Sequence, residues 1–484
     1  MKPNLQKICV LITGILLLCA VPPVRTGAAF RIPGTCRVQT DTGAADTVKT
    51  LDWDYADNTY LSLRDTAMVL QNTEKSFSLE ITKNAVSLNP GEAYTPVGGE
   101  NAPWGEEEMP EGAVRRNQFQ VNGETVSYHT LIMQLPSGFY DCFMMAADLA
   151  MILDAGIAVP GADCLEFCTG EPFRISPGYL EQAGYFYGVN SVLAGDATTG
   201  EIYYSYQAGT SYPIASTSKL MTCLLAMEAI SEGQLDPGDL VTVSPKAQML
   251  AESSDGVLPL KAGDQVTVQD LLTGALLPSS NECALCLAEA VAGTEEEFVE
   301  RMNRKAAEIG LSQAVFFNSN GLPVYTEDPV PAKLQNRMSA EDMFRLASYL
   351  LRVYPQIKDV TSMQSAVLES LGREVANTNP LLRNMPEVTG MKTGTTNRAG
   401  ACLVTSLTAD DGIMDHDLVV VVLGAEDSAE RGRVSELLAG YALDAFREGV
   451  EEGEAVTPGN LNLPVHAEAA VDWILKAVLR MEEQ

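Results

Sequence analysis

Ala215-Ser216-Thr217-Ser218-Lys219-Leu220-Met221-Thr222 opens a long apolar run, and it sets a serine three residues ahead of a lysine. On a helix, positions three apart share a face, so the Lys219 amine can reach the Ser216 hydroxyl. Alone the tetrapeptide carries little weight, because this spacing arises by chance about once or twice in a chain of this length. Its meaning comes from two further motifs in order, Ser279-Ser280-Asn281 and then Lys392-Thr393-Gly394-Thr395. The ordered triple is far rarer, and together the motifs contain every group needed for attack on an acyl bond.

These motifs resemble the active-site signature of penicillin-recognising serine enzymes, which include penicillin-binding proteins and serine β-lactamases. The flanking text narrows the resemblance. Asp196-Ala197-Thr198-Thr199-Gly200-Glu201, Lys261-Ala262-Gly263-Asp264 and Asn397-Arg398-Ala399-Gly400-Ala401-Cys402-Leu403-Val404 are similar to low-molecular-weight D-alanyl-D-alanine carboxypeptidases. The similarity runs from about Gly178 to Phe446. It implies a domain at 178–446 of α+β class, β-lactamase/transpeptidase-like, with a mixed sheet and an inserted helical subdomain.

The resemblance also assigns roles. Serine is a poor nucleophile at its own pKa and needs a base beside it. Lys219 is the candidate base, its proton affinity lowered by burial and by Lys392 as a nearby cation. Ser279 would pass a proton to the departing amine, and Asn281 would hold the substrate amide through its two-sided hydrogen bonding. Lys392 and Thr395 would bind the terminal carboxylate. Thr393 and Gly394 would let the substrate backbone lie along an edge strand, glycine removing the side chain in its way. In family terms the oxyanion hole is formed by the backbone N–H groups of Ser216 and Thr395.

The implied activity is removal of the terminal D-alanine from peptidoglycan stem pentapeptides through a Ser216 acyl-enzyme, with β-lactams as covalent inhibitors. A β-lactamase of the commonest serine kind needs a glutamate about thirty to forty residues beyond the second motif. Ala314-Val315-Phe316-Phe317-Asn318-Ser319-Asn320-Gly321-Leu322 stands there without a carboxylate, and Asn320 replaces the histidine that family members often carry. Two alternatives remain open: a D,D-endopeptidase using the same residues on cross-links, and a non-catalytic cell-wall-binding protein.

Composition bounds the rest. The 484 residues, 46% of them apolar, allow two or three packed domains. Residues 1–29 join Lys2 and Lys7 to an apolar run from Ile8 to Val21 and then to small residues ending at Ala29, which reads as a signal peptide. The expected location is therefore extracytoplasmic, secreted or associated with wall or membrane. The formal charge is −32, and cleavage after Ala29 would remove three cations and no acid. Such acidity disfavours nucleic acid as a partner, because its phosphates would be repelled, and none is expected. Only His129, His416 and His466 are histidines, far apart in sequence, so no metal and no cofactor are expected. Cys283 and Cys286 read as one buried helix face.

Residues 30–173 are richer in alternating strands. Thr59 to Asp65 reads as a strand leading into a helix at Thr66–Leu70, and Phe77 to Ile81 alternates again. Val121 to Val126 and then Phe139 to Leu153 repeat the order strand, turn, helix. This segment resembles the copper amine oxidase N-terminal-like, or stalk, module. That implies no copper here, and a role in display or cell-wall contact. Pro103 to Pro110 reads as an exposed loop and Pro172 to Pro177 as a linker.

In the catalytic segment, strands at Gly188–Ala194 and Glu201–Tyr206 form a hairpin feeding the long helix with Ser216. Helices are expected at Glu282–Val291, Glu296–Ile309 and Ala340–Leu351, the last opened by a Ser339/Asp342 capping box. Strands follow at Gly400–Leu407 and Asp417–Leu423. An acidic tail at 447–484 carries a last helix at Ala467–Arg480.

Overall fold

Ser62 ends one strand and starts a helix, and that junction organises the first half of the chain. Its hydroxyl accepts from Asp65 N at 3.0 Å, capping the helix Leu63–Leu70. The helix thus begins three residues before the expected Thr66. The local cap outweighs the strand-like look of Leu63-Arg64-Asp65, because Leu63, Ala67 and Leu70 then share a buried face. In the computed structural model the described residues are 31–53, 59–104, 115–135, 138–161, 164–175, 188–326 and 332–451. The expected signal peptide, the last two residues of the expected linker and the expected helix at 467–480 lie outside them. Two compact units divide the chain, Met1–Phe173 and Arg174–Gln484.

The first unit is built on a sheet whose strands run in the order Gly156–Gly161, Cys164–Cys168, Arg31–Thr40, Ala45–Trp53, Thr59–Ser62, Tyr140–Met145, Glu124–Gln134, Arg115–Val121, Val86–Pro90, Phe77–Ile81. This order is a palindrome of two equivalent halves. Each half has three antiparallel strands, a short helix, and a hairpin that crosses to the other half. The hairpin strand Val86–Pro90 pairs parallel with Arg115–Val121, and Cys164–Cys168 pairs parallel with Arg31–Thr40. Leu61 lies two residues before the helix Leu63–Leu70, and Met144 two before the helix Ala146–Leu153. They are each other's register partners, which puts a local two-fold axis between them.

Polar groups inside this unit are matched. Asp65 accepts from Lys49 Nζ at 3.1 Å, Lys49 N at 2.9 Å and Asn101 N at 2.8 Å, and both side chains are buried. Lys49 also donates to the carbonyls of Gly99 and Ala102, pinning that loop to the sheet. The expected exposed loop begins docked rather than free: Trp104 stacks on Phe143 with centroids 5.7 Å apart and donates to Gly34 O. A large aromatic with a polar handle gains more from that site than from water. Residues 105–110 of that loop are outside the described ones.

In the second unit, five strands are ordered Ile202–Tyr206, Ser191–Asp196, Asp415–Ala425, Gly400–Asp410, Val388–Thr396. The class is α+β as expected, but this sheet is not mixed: every pairing within it is antiparallel. The short turns at 397–399 and 411–414 leave no room for the crossover that parallel neighbours need. Val419, Val421 and Leu423 join the core shared with the helices Lys219–Ser231, Val268–Leu276, Asn281–Ala292, Glu295–Glu308 and Ala340–Val353. Leu418, Val420 and Val422 are buried outside that core, on the face against which the helix Ser428–Glu451 packs. Helix Lys219–Ser231 is buried on nearly all sides.

Two local expectations change. Ser216 does not lie in the long helix but on a 3-10 turn, Ala215–Ser218, that precedes it. The reach from residue i to i+3 survives, since a 3-10 turn also stacks those positions. Ser339 does cap its helix, accepting from Asp342 N at 3.1 Å, yet Asp342 turns away and accepts from Gln313 N instead. An aspartate is one methylene too short for the reciprocal bond of a capping box. Among the described residues, no helix is long and apolar enough to cross a membrane.

Because Asp65 ties a helix, a strand and a loop together from a buried position, Asp65→Ala should destabilise the first unit by about 3 kcal/mol. Urea unfolding followed through Trp104 fluorescence would measure the loss.

Candidate active site

The turn carrying Ser216 is made locally. Thr217 Oγ1 donates to Ile214 O at 2.6 Å, and Ser218 Oγ donates to Ala215 O at 2.9 Å. Ala215 takes φ +47, a left-handed conformation that costs a non-glycine residue and persists only where its surroundings fix it. Two glycines do the fixing. Gly321, at φ +89, sits so close that a Cβ there would lie 2.0 Å from Ala215 O. A Cβ on Gly394 would lie 2.7 Å from Ser216 N and 2.8 Å from Thr217 N. The space that Gly394 leaves open is therefore taken by the Ser216 turn itself, not only by a substrate as the sequence reading supposed.

Lys219 is fully buried, and its Nζ has three partners, each at 2.8 Å: Ser216 Oγ, Asn281 Oδ1 and the carbonyl of Asn320. Burial pushes its proton affinity well below that of an ordinary lysine, and the Lys392 charge pushes it further the same way. The Glu282 carboxylate acts in the opposite direction. Lys392 is buried too, donating to Thr393 O at 3.0 Å. Its pKa is lowered to about 7, chiefly by burial, with Cys223 opposing and Arg431 adding to the shift.

The second motif lies in the turn between the helices Val268–Leu276 and Asn281–Ala292. Ser279 has φ +69, again left-handed, and is half-buried. Ser280 caps the following helix by accepting from Cys283 N at 3.0 Å. Asn281 uses both ends of its amide within the protein, accepting from Lys219 and donating to Asp255 O at 2.7 Å. The third motif occupies the strand Val388–Thr396 at the sheet edge. Thr393 Oγ1 is 2.5 Å from Thr378 Oγ1, and Thr395 is exposed.

Three contributors escaped the sequence reading. Asn320 serves through its backbone carbonyl, so its side chain, which accepts from Leu322 N, leaves the lysine contact independent of the missing histidine. That segment is itself anchored: Thr222 Oγ1 donates to Ser319 O, and Glu295 accepts from Ser319 N and Oγ. Arg431, on the helix Ser428–Glu451, is buried and points Nη1 at Thr395 Oγ1 from 3.4 Å. Its position in sequence, beyond all three motifs, carries no signal. Glu282, next to Asn281, is fully buried as well. Among the described residues, no group of His, Cys, Asp and Glu is arranged to hold a metal ion. Cys283 and Cys286 are buried thiols whose pKa values burial raises.

Comparison with known proteins gives one family match, D-alanyl-D-alanine carboxypeptidase (peptidase S11), over residues 188–427. The chain is 34% identical to D-alanyl-D-alanine carboxypeptidase DacF of Bacillus subtilis over 250 residues, 51% of this chain and 60% of that one. It is 31% identical to D-alanyl-D-alanine carboxypeptidase DacC of Escherichia coli, over 54% of this chain and 61% of that one. A D-alanyl-D-alanine endopeptidase of Pseudomonas aeruginosa is 31% identical over 44% of this chain and 65% of its own. The chain thus spans less than two thirds of the length of these relatives. With its three motifs gathered around one buried lysine, the segment 188–427 matches the D-alanyl-D-alanine carboxypeptidase (peptidase S11) family.

Proposed function

We propose that this chain is an exported serine-type D-Ala-D-Ala carboxypeptidase that removes the terminal D-alanine of peptidoglycan stem pentapeptides and is acylated by β-lactams. One observation carries the reading. Of the three partners of Lys219 Nζ, Asn281 Oδ1 and Asn320 O can only accept hydrogen bonds. A neutral amine satisfies both with its two N–H bonds and turns its lone pair to the Ser216 hydroxyl. That is the arrangement a general base requires.

In this mechanism Ser216 Oγ attacks the carbonyl carbon of the penultimate D-alanine while its proton moves to Lys219 Nζ. The oxygen that gains charge is held by the N–H groups of Ser216 and Thr395. Collapse of the tetrahedral intermediate breaks the C–N bond, and Ser279 relays a proton to the leaving amine. Water then attacks the acyl-enzyme and returns the proton to Ser216. The terminal carboxylate is bound by Lys392 and Thr395, and Arg431 stands behind Thr395 to add charge there. Thr393 and Gly394 line the strand along which the peptide lies. Asn281 orients Lys219 and, when a peptide enters, offers its amide edge.

The endopeptidase reading keeps the same residues and changes only the leaving group, and the P. aeruginosa relative's name favours keeping it. Product analysis on a pentapeptide against a cross-linked dimer separates the two. The residues ahead of 174 we assign to wall contact or display, outside the cytoplasmic membrane.

Intact-mass spectrometry after mixing with benzylpenicillin should give a lasting adduct of the whole drug mass, absent in Ser216→Ala. Rapid turnover of the drug would instead indicate a β-lactamase, and no adduct or turnover would leave a binding role. Gly394→Val should cut acylation by at least about 10²-fold by displacing the Ser216 turn, with little change in secondary structure by circular dichroism. On the acid side of the pH profile, activity should rise as Lys219 loses its proton, at a pH well below that of an ordinary lysine because the amine is buried. As pH passes about 7, KM for a carboxylate-bearing peptide should rise, because Lys392 then loses the charge that binds it.

A further inference from the structure

Asn281 and Glu282 are neighbours at the start of one helix, and between them they grip a single turn of the chain from both sides. Asn281 Nδ2 donates to Asp255 O at 2.7 Å. Glu282 Oε1 accepts from Val257 N at 3.1 Å and also from Leu258 N. The turn is tight, since a Cβ on Gly256 would lie 2.1 Å from Ala251 O. It has few other supports, with Asp255 and Val257 both exposed. Glu282 itself is 0% exposed, and its Oε2 has no hydrogen-bond partner among the described residues. A buried carboxylate with one oxygen unsatisfied is costly to keep, and a glutamine or an apolar residue would cost less.

We propose that Glu282 is a positioning residue for the Ser216–Lys219 pair: it holds the Asp255–Leu258 turn that orients Asn281, and it carries a carboxylate whose field reaches Lys219. This rests on the acyl-enzyme reading above. The connection is continuous, from Glu282 to the N–H groups of Val257 and Leu258, through Asp255 O to Asn281, and from Asn281 Oδ1 to Lys219 Nζ. The fixed amide cannot flip, so Asn281 presents an acceptor to the lysine, never a donor. The titratable groups acting on Lys219 are Lys392 on the edge strand, Glu282 and Cys283 on the second-motif helix, and Cys223 on its own helix. Lys392 is in turn influenced by Arg431. Against the burial and the Lys392 charge that drive the proton off Lys219, the carboxylate of Glu282 keeps that proton within reach once it has been taken from Ser216.

The test is the rate constant for acylation by a fluorescent penicillin, measured across pH for wild type, Glu282→Gln, Glu282→Asp and Glu282→Ala, with Ser216→Ala as blank. Thermal melts accompany each protein. Glutamine keeps an acceptor for Val257 N and Leu258 N but removes the charge that favours protonated Lys219. Its acid limb should therefore move to lower pH, by about one unit. Aspartate keeps the charge, so its limb should stay at the wild-type pH with a lower rate. Alanine removes both functions and should lose about 10²-fold in rate. A limb in Glu282→Gln that coincides with wild type would overturn the proposal, whatever alanine does. Should the glutamine protein not fold, a limb shifted in Glu282→Asp would overturn it equally. Absence of an adduct in wild type would sink the acyl-enzyme reading, and this inference with it.

Discussion

One buried amine organises the second half of this protein. Lys219 lies out of water with three oxygen partners, and each partner comes from a different part of the chain: its own turn, the second-motif helix and the loop ending at Gly321. An ammonium in such a place pays heavily for lost hydration, so the neutral form is favoured and the amine gains the character of a base. The rest of the unit serves to keep those three oxygens in register. Gly321 and Gly394 press the serine turn from two sides, Glu295 and Thr222 hold the loop, and Glu282 holds the turn that holds Asn281.

The same constraint explains where strain is stored. Ala215 and Ser279 are non-glycine residues in left-handed conformations, Ala215 next to Ser216 and Ser279 itself the first residue of the second motif. Such conformations cost about 1–3 kcal/mol each and survive only where packing over-determines them. Here the large shared core of helices and sheet supplies that packing. The first unit shows a different economy. Its two halves exchange their last hairpins, so each half completes the sheet of the other, and a polar clamp of Lys49 and Asp65 fixes the loop between them.

Much of this was legible in the residues. The strands expected on either side of Thr199-Gly200 form the hairpin before Ser216, and the apolar run Leu418 to Leu423 lies in the central strand of that sheet. Segment ends were less legible. Ser62 looked like mid-strand because Leu61-Ser62-Leu63-Arg64 alternates apolar and polar, and only packing of Leu63, Ala67 and Leu70 reveals that the helix has begun. Asp342 resembled half of a reciprocal cap, but a backbone N–H at Gln313, distant in sequence, competes for it. The strand swap was not legible, since pairing of equivalent halves leaves the local pattern of each unchanged.

From the order of its residues alone the chain named its candidate groups: a serine with a lysine one turn away, a second serine and an amide, and a lysine on a glycine-containing strand. These are local or compositional facts, and spacing along a helix or strand is enough to express them. The tertiary structure decided which groups complete the site. The carbonyl of Asn320 has no signature, because every residue has one; Arg431 and Glu282 matter only through what they face. Electrostatics added the last element, since the fall in proton affinity of Lys219 comes from burial and from Lys392, 173 positions away in number and adjacent only in space.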